Sequence, residues 1–171
     1  MHSQALDRPL PHLTVATVVK RGDQYLMVEE YAPPPAPQAT HDQQEYQEHR
    51  EHQEHGELVY NQPAGHVESN ETLLQAAIRE TAEETGWKVN LLSLIGVYHY
   101  TAPSNGIRYV RVCFAAEAVM CISDELDPAI KAAHWLSIEQ LNRLPLRSPL
   151  VLKVLEDYES GQAYPLALIH D

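Results

Sequence analysis

The sequence predicts an α/β domain built on a mixed β-sheet with helices on both faces. Three observations carry that expectation. Apolar, β-branched runs alternate with stretches of helical periodicity, several neighbouring runs are joined by links short enough for hairpins, and one long helical stretch has a polar start and a glycine stop. The 171 residues suit one domain, spanning 1–171, that buries roughly 68–70% of its unfolded surface.

Residues 12–20 (HLTVATVVK) and 24–30 (QYLMVEE), joined by Arg21-Gly22-Asp23, read as two strands of a hairpin. The segment 32–56 differs in kind, with prolines at its start and the triplets Gln-Glu-His, Arg-Glu-His, Gln-Glu-His over 47–55. His41, His49, His52 and His55 suggest a metal tract. Low complexity and the scarcity of apolar residues favour a disordered surface loop inserted between core elements.

Order is expected to resume at 58–60, a short strand delivering Asn61-Gln62-Pro63-Ala64-Gly65. Pro63 and Gly65 mark a tight loop whose backbone can approach a ligand. Ser69 or Asn70 is expected to cap the following helix, with Glu71 at its positive end. Leu73, Leu74, Ala77 and Ile78 form its apolar face, and Gly86 stops it.

Residues 89–100 predict a strand interrupted by Gly96, with 107–120 as its partner. Arg108 and Arg111 differ in parity, so they point to opposite faces and at most one, taken as Arg111, serves a site. After the acidic loop 124–127, a short strand covers 131–136 and Ser137 caps a helix running to Leu144. Ser148 is expected to cap a last helix that turns Leu150, Val151, Val154 and Leu155 inward.

A formal charge of −12 argues against a nucleic-acid surface, which needs a basic stripe. It also makes an anionic partner dependent on bound cations. The first residues lack a basic stretch followed by a long apolar run, and no segment approaches the roughly 18 apolar residues of a membrane span. Cys113 and Cys121 sit in apolar surroundings and are expected to be reduced. These features together suggest a cytoplasmic protein, and a monomer is expected.

The chemistry is concentrated between Gly65 and Trp87, GHVESNETLLQAAIRETAEETGW. Glu80, Glu83 and Glu84 fall on one side of the helix, where like charges cost about 0.2–0.5 kcal/mol per pair. A divalent cation reverses the sign of that cost. Oxygen ligands select Mg²⁺, Mn²⁺ or Ca²⁺ over zinc, and no Cys or His stands at matching spacing within the helix.

Five residues separate Gly65 from Glu71, seven more lead to Arg79-Glu80, and Glu83-Glu84 and Gly86 follow. This spacing resembles the signature of the Nudix hydrolases, which cleave diphosphates linked to another moiety. Thr81 and Trp87 stand where that signature usually has aliphatic residues, a departure that bears on packing. The resemblance implies an α/β/α sandwich in which the signature forms loop, helix and loop. It also implies Glu80, Glu84 and the Gly65 carbonyl as ligands of Mg²⁺, with Mn²⁺ able to substitute. Glu83 is then a ligand or a water-orienting base, and Arg79 pairs with Glu71, with phosphate binding as its other possible role. A further acid outside the signature often assists, with Glu117 and Glu125 as candidates, though an exposed loop or strand-end acid is the commoner case.

PHLTVATVV, NQPAGHVE and LRSPLV further resemble the phosphatase NudJ subgroup of that family. The subgroup implies release of orthophosphate from nucleoside tri- and diphosphates, thiamine diphosphate and hydroxymethylpyrimidine diphosphate. Tyr60 stands where many relatives have Trp, and it can still stack on a ring. Tyr60, Gln62, His66 and Arg111 are therefore the expected substrate-binding residues. Tyr98, Tyr100 and Trp135 are further ring contacts or plain core, and Arg147-Ser148 is an anion site or a simple cap. A pyrophosphohydrolase of ADP-ribose or an oxidised nucleotide, and a non-catalytic nucleotide-binding domain, are the alternatives. With clustered acids holding protons until metal enters, activity is expected to rise toward alkaline pH.

Overall fold

Strand β1 (His12–Arg21) divides its hydrogen bonds between two groups of strands, and the shape of the molecule follows from that division. In the computed structural model, which describes residues 10–32, 56–103 and 106–170, β1 pairs antiparallel with β2 (Gln24–Tyr31) only at Lys20–Tyr25 and Arg21–Gln24. Toward its start β1 leaves β2. There it runs parallel to β6 (Arg108–Cys121) on one side and antiparallel to β4 (Ala64–His66) on the other. β2 instead pairs with β3 (Leu58–Asn61) and β7 (Ile130–Ser137). A wedge therefore opens between the start of β1 and the end of β2.

β5 (Trp87–Thr101) completes the sheet beside β6. Where an interruption was expected at Gly96, the strand continues through irregularities at Lys88/Val89, Leu91/Ser93 and Leu94/Gly96. Such bulges bend a strand without ending it. The expected 107–120 partner and the hairpin at Gly22 are both present. Segment 32–56 lies outside the described residues except at its ends, where the Ala32 amide donates to the Glu57 carbonyl at 2.8 Å.

Alternation along β1 sends its side chains to two cores. Val15 meets Ala76, Ala77, Leu94, Val112 and Phe114 on the side of helix α1 (Leu73–Thr85). Ala16 and Val18 meet Met27, Ile95, Cys113 and Ala115, together with Val151, Val154 and Leu155 of helix α3 (Leu150–Glu159). Helices thus cover both faces of a mixed sheet, as expected.

Local signals were less exact. Thr72, not Ser69 or Asn70, caps α1 through a reciprocal box with Gln75. A side chain reaching its own third residue satisfies two orphan donors, which outweighs the earlier polar residues. The buried face centres on Ala76, Ala77, Thr81 and Thr85, while Ile78 is exposed. Ser137 does cap the next helix, α2 (Ile138–Leu141), but that helix ends well before Leu144. Pro149 rather than Ser148 occupies the cap of α3, with no side-chain cap bond.

Candidate active site

Helix α1 is held against the wedge by its acids. Gly86 ends it in the left-handed conformation at φ 70°, where a Cβ would stand 2.0 Å from the Ser123 carbonyl. Glycine alone satisfies both demands. The Ala64 amide on β4 donates to Glu84 Oε2 at 2.8 Å. At Gly65 the helix comes closer still, since a Cβ there would lie 2.1 Å from the Glu80 carboxyl carbon. The Gly65 backbone and the Glu80 carboxylate are therefore in direct apposition.

Arg79 organises the remaining acids. Its Nε and Nη2 donate to Glu71 Oε2 and Oε1 at 2.9 and 2.6 Å, a bidentate fork. Nη1 donates to Glu80 Oε1 and Glu83 Oε2, both at 2.9 Å, and Nη2 also reaches the His66 carbonyl at 3.1 Å. This guanidinium lowers the Glu71 carboxyl below its ordinary value. Glu71 lies just outside the helix, before the Thr72 cap, so its partner is Arg79 rather than the helix dipole.

Two acids titrate in the opposite direction. Burial raises Glu80 despite the bonds from Arg79. Glu84 is pushed up to about 8, first by burial and then by Glu30, Glu80 and Asp127. A partly buried carboxylate facing three other acids is stabilised by either a proton or a cation.

These groups open into a cleft of about 630 Å³ that occupies the wedge between β1 and β2. Glu80, Glu84, Gly65 and Glu30 line it, as do Arg111, His66, Thr14, Asn61, Tyr100, Tyr109, Arg147 and Ser148. Across the cleft, Arg111 Nε and Nη1 and Thr14 Oγ1 are buried without a hydrogen-bond partner. Desolvation, then His12 and Arg111, hold His66 below its ordinary value.

Among the described residues, no three acidic, His or Cys side chains form a ready-made metal cage. Glu80 is turned to Arg79 and Glu84 to the Ala64 amide. The donor set nevertheless fits a hard cation: two partly buried carboxylates beside a glycine backbone, all oxygen, with Glu84 lacking a positive partner.

Several expected residues lie elsewhere. Tyr60 does not line the cleft, and its ring lies 5.9 Å from that of His134. Gln62 is buried, donating to the Val151 carbonyl at 2.7 Å, because its loop is tucked beneath α3. Tyr98 donates to Asp157 at 2.9 Å, and Trp135 stacks edge-on with Trp87 around Arg21. Glu117 is bonded to Asn90 on the exposed sheet, and Glu125 sits in a surface turn with Ser123. Glu83 is half-exposed and outside the cleft lining.

The acid in the cleft from outside the signature is Glu30, which accepts from Arg147 at 3.1 Å and Asn61 at 3.2 Å. Its signal in the sequence is parity, since it shares a strand face with buried Leu26 and Val28. Thr14, Asn61 and Tyr109 had no comparable signal.

A NUDIX domain model matches residues 10–157. Phosphatase NudJ of Escherichia coli strain K12 is 36% identical over 163 residues, covering 94% of this chain and 92% of that protein. The Shigella flexneri phosphatase NudJ matches to the same extent. A NUDIX hydrolase structure from Nitrosomonas europaea superposes with a TM-score of 0.78 at 36% identity, over 95% of this chain and 97% of that one.

Proposed function

The chain belongs to the Nudix hydrolase family, and on that premise we propose that it is a Mg²⁺-dependent phosphohydrolase releasing orthophosphate from nucleoside tri- and diphosphates and from thiamine-pathway diphosphates. One observation carries this: a single cleft presents partly buried carboxylates on one wall and an unanswered guanidinium on the other. The first wall suits a divalent cation and the second a phosphate. A volume of about 630 Å³ falls within the ~300–1,000 Å³ usual for small-molecule sites. Likeness to phosphatase NudJ over 94% of the chain supports terminal attack.

Glu80, Glu84 and the Gly65 carbonyl hold the cation, with Mn²⁺ able to replace Mg²⁺. Once bound, a divalent cation supplies positive charge to phosphate oxygens and acidifies water. Arg79, anchored by Glu71, positions Glu80 and Glu83 by its fork. Glu83, half-exposed and held by Arg79, is a further ligand or the base that orients the water. Arg111 faces the phosphate chain, with His66 beside it as a neutral donor. The same reading makes the protein a monomer and, with Cys113 and Cys121 as free thiols, a cytoplasmic one.

A product-resolved assay with ADP, ATP, thiamine diphosphate and hydroxymethylpyrimidine diphosphate tests this. Orthophosphate from each, abolished by Glu84→Gln, is expected. Pyrophosphate from ATP indicates attack at the innermost phosphorus instead, and binding without turnover in Mg²⁺ or Mn²⁺ indicates a non-catalytic nucleotide-binding domain.

A further inference from the structure

Two adjacent rows of side chains cross the sheet on the cleft side. In the inner row Thr14 is paired with His66 on β4 and Arg111 on β6. In the outer row His12 is paired with Tyr109, which is paired in turn with Tyr100 on β5. Cross-strand partners share a face, and rows two residues apart lie about 7 Å from each other along the strands.

The rows differ in chemistry. Thr14 is buried, and its hydroxyl and two guanidinium nitrogens of Arg111 have no partner. Such a cluster is costly by itself and is matched by an anion offering several acceptor oxygens. The inner row continues to Tyr98 on β5, whose hydroxyl is engaged by Asp157, whereas every member of the outer row is aromatic. Tyr100 and Tyr109 are half-buried cleft residues. His12 braces the Tyr109 ring edge-on at 5.4 Å while bonding His66 at 2.9 Å.

We propose that these rows set the direction in which substrate lies: the terminal phosphate against Thr14 and Arg111, and an aromatic ring on Tyr100 and Tyr109 at the mouth. This orientation rests on the phosphohydrolase reading above, but it makes a separate claim about binding.

Equilibrium binding of two non-hydrolysable probes in Mg²⁺ buffer tests it: α,β-methylene-ADP, which carries a ring, and methylenediphosphonate, which does not. Thr14→Val and Arg111→Gln are expected to weaken both about tenfold, the loss of charge-assisted bonds. Tyr109→Leu is expected to weaken the nucleotide about tenfold and the diphosphonate less than about twofold, since only a base stacks. Thr14→Val also leaves the melting temperature unchanged or higher, because it removes an unanswered buried hydroxyl. Unchanged diphosphonate affinity in Thr14→Val and Arg111→Gln overturns the orientation, as does an equal loss of both probes in Tyr109→Leu. Row-dependent binding in a wild-type protein that hydrolyses nothing leaves the orientation standing and removes the phosphohydrolase reading.

Discussion

The hydroxyls of Thr17 and Thr81 meet at 2.7 Å in the buried layer between β1 and α1. Thr81 donates its own proton to the Ala77 carbonyl at 2.7 Å, so Thr17 must be the donor in the pair. This explains how the helix tolerates a polar residue where its family usually has an aliphatic one. The partner on β1 is also polar, and both hydroxyls are satisfied.

Thr81→Val leaves the Thr17 hydroxyl without an acceptor and is expected to cost about 1–3 kcal/mol. Thr17→Val leaves Thr81 still bonded to Ala77 and costs less. The double variant should lie well short of the sum, and urea unfolding of all four proteins measures that coupling.

Gly65→Ala separates the site from the fold. Its Cβ would stand 2.1 Å from the Glu80 carboxyl carbon, the flexible end of a side chain, so Glu80 moves rather than the backbone. Stability is expected to change by under about 1 kcal/mol. Turnover should fall at least about 100-fold, comparable with the loss of a transition-state stabilising group. Parallel calorimetry and steady-state kinetics check the pair of outcomes.

Arg79 and a divalent cation act on the same acids. Arg79→Ala releases Glu71, Glu80 and Glu83 together and is expected to cost the metal-free protein about 1–3 kcal/mol, the pair being only partly exposed. Saturating Mg²⁺ should recover part of that loss. Thermal melts with and without Mg²⁺ decide the matter, and an identical deficit in both contradicts the shared role.

Asp157 gives a pH dependence remote from the cleft. Its carboxyl is held below the ordinary value, by Lys153 first and by the Tyr98 hydroxyl next. The unfolded carboxyl titrates near pH ~3.9, so its stabilisation is fully present above about pH 5 and is lost as pH falls through the lower folded value. Asp157→Asn is expected to cost about 1–3 kcal/mol at pH 7, the worth of bonds to a charged group. Its stability should converge on that of the wild type in strong acid. Denaturant midpoints across pH 2–7 follow the difference.

The helix, its glycine stop and most strands were legible because each depends on neighbours within a few residues, while the Glu71–Arg79 pair came from the resemblance of the signature. Parity set Arg108 and Arg111 on opposite faces without choosing between them, and Arg111 is the one that lines the cleft. The assignments of Tyr60 and Gln62 to substrate rested on a nearby motif. They lie outside the cleft because β3 turns Tyr60 toward His134 and the loop after it carries Gln62 beneath α3.

What the sequence determined by itself is the reactive helix: periodicity, spacing and charge place its acids on one side, whatever surrounds them. What only the tertiary structure decided is which distant residues face those acids. That choice follows from β1 parting from β2 after two residue pairs. Glu30 is thereby set on one wall and Thr14, Arg111, Tyr100 and Tyr109 on the other. Such pairing is settled by contacts far apart in the chain, where periodicity carries no information about which strand will be the neighbour.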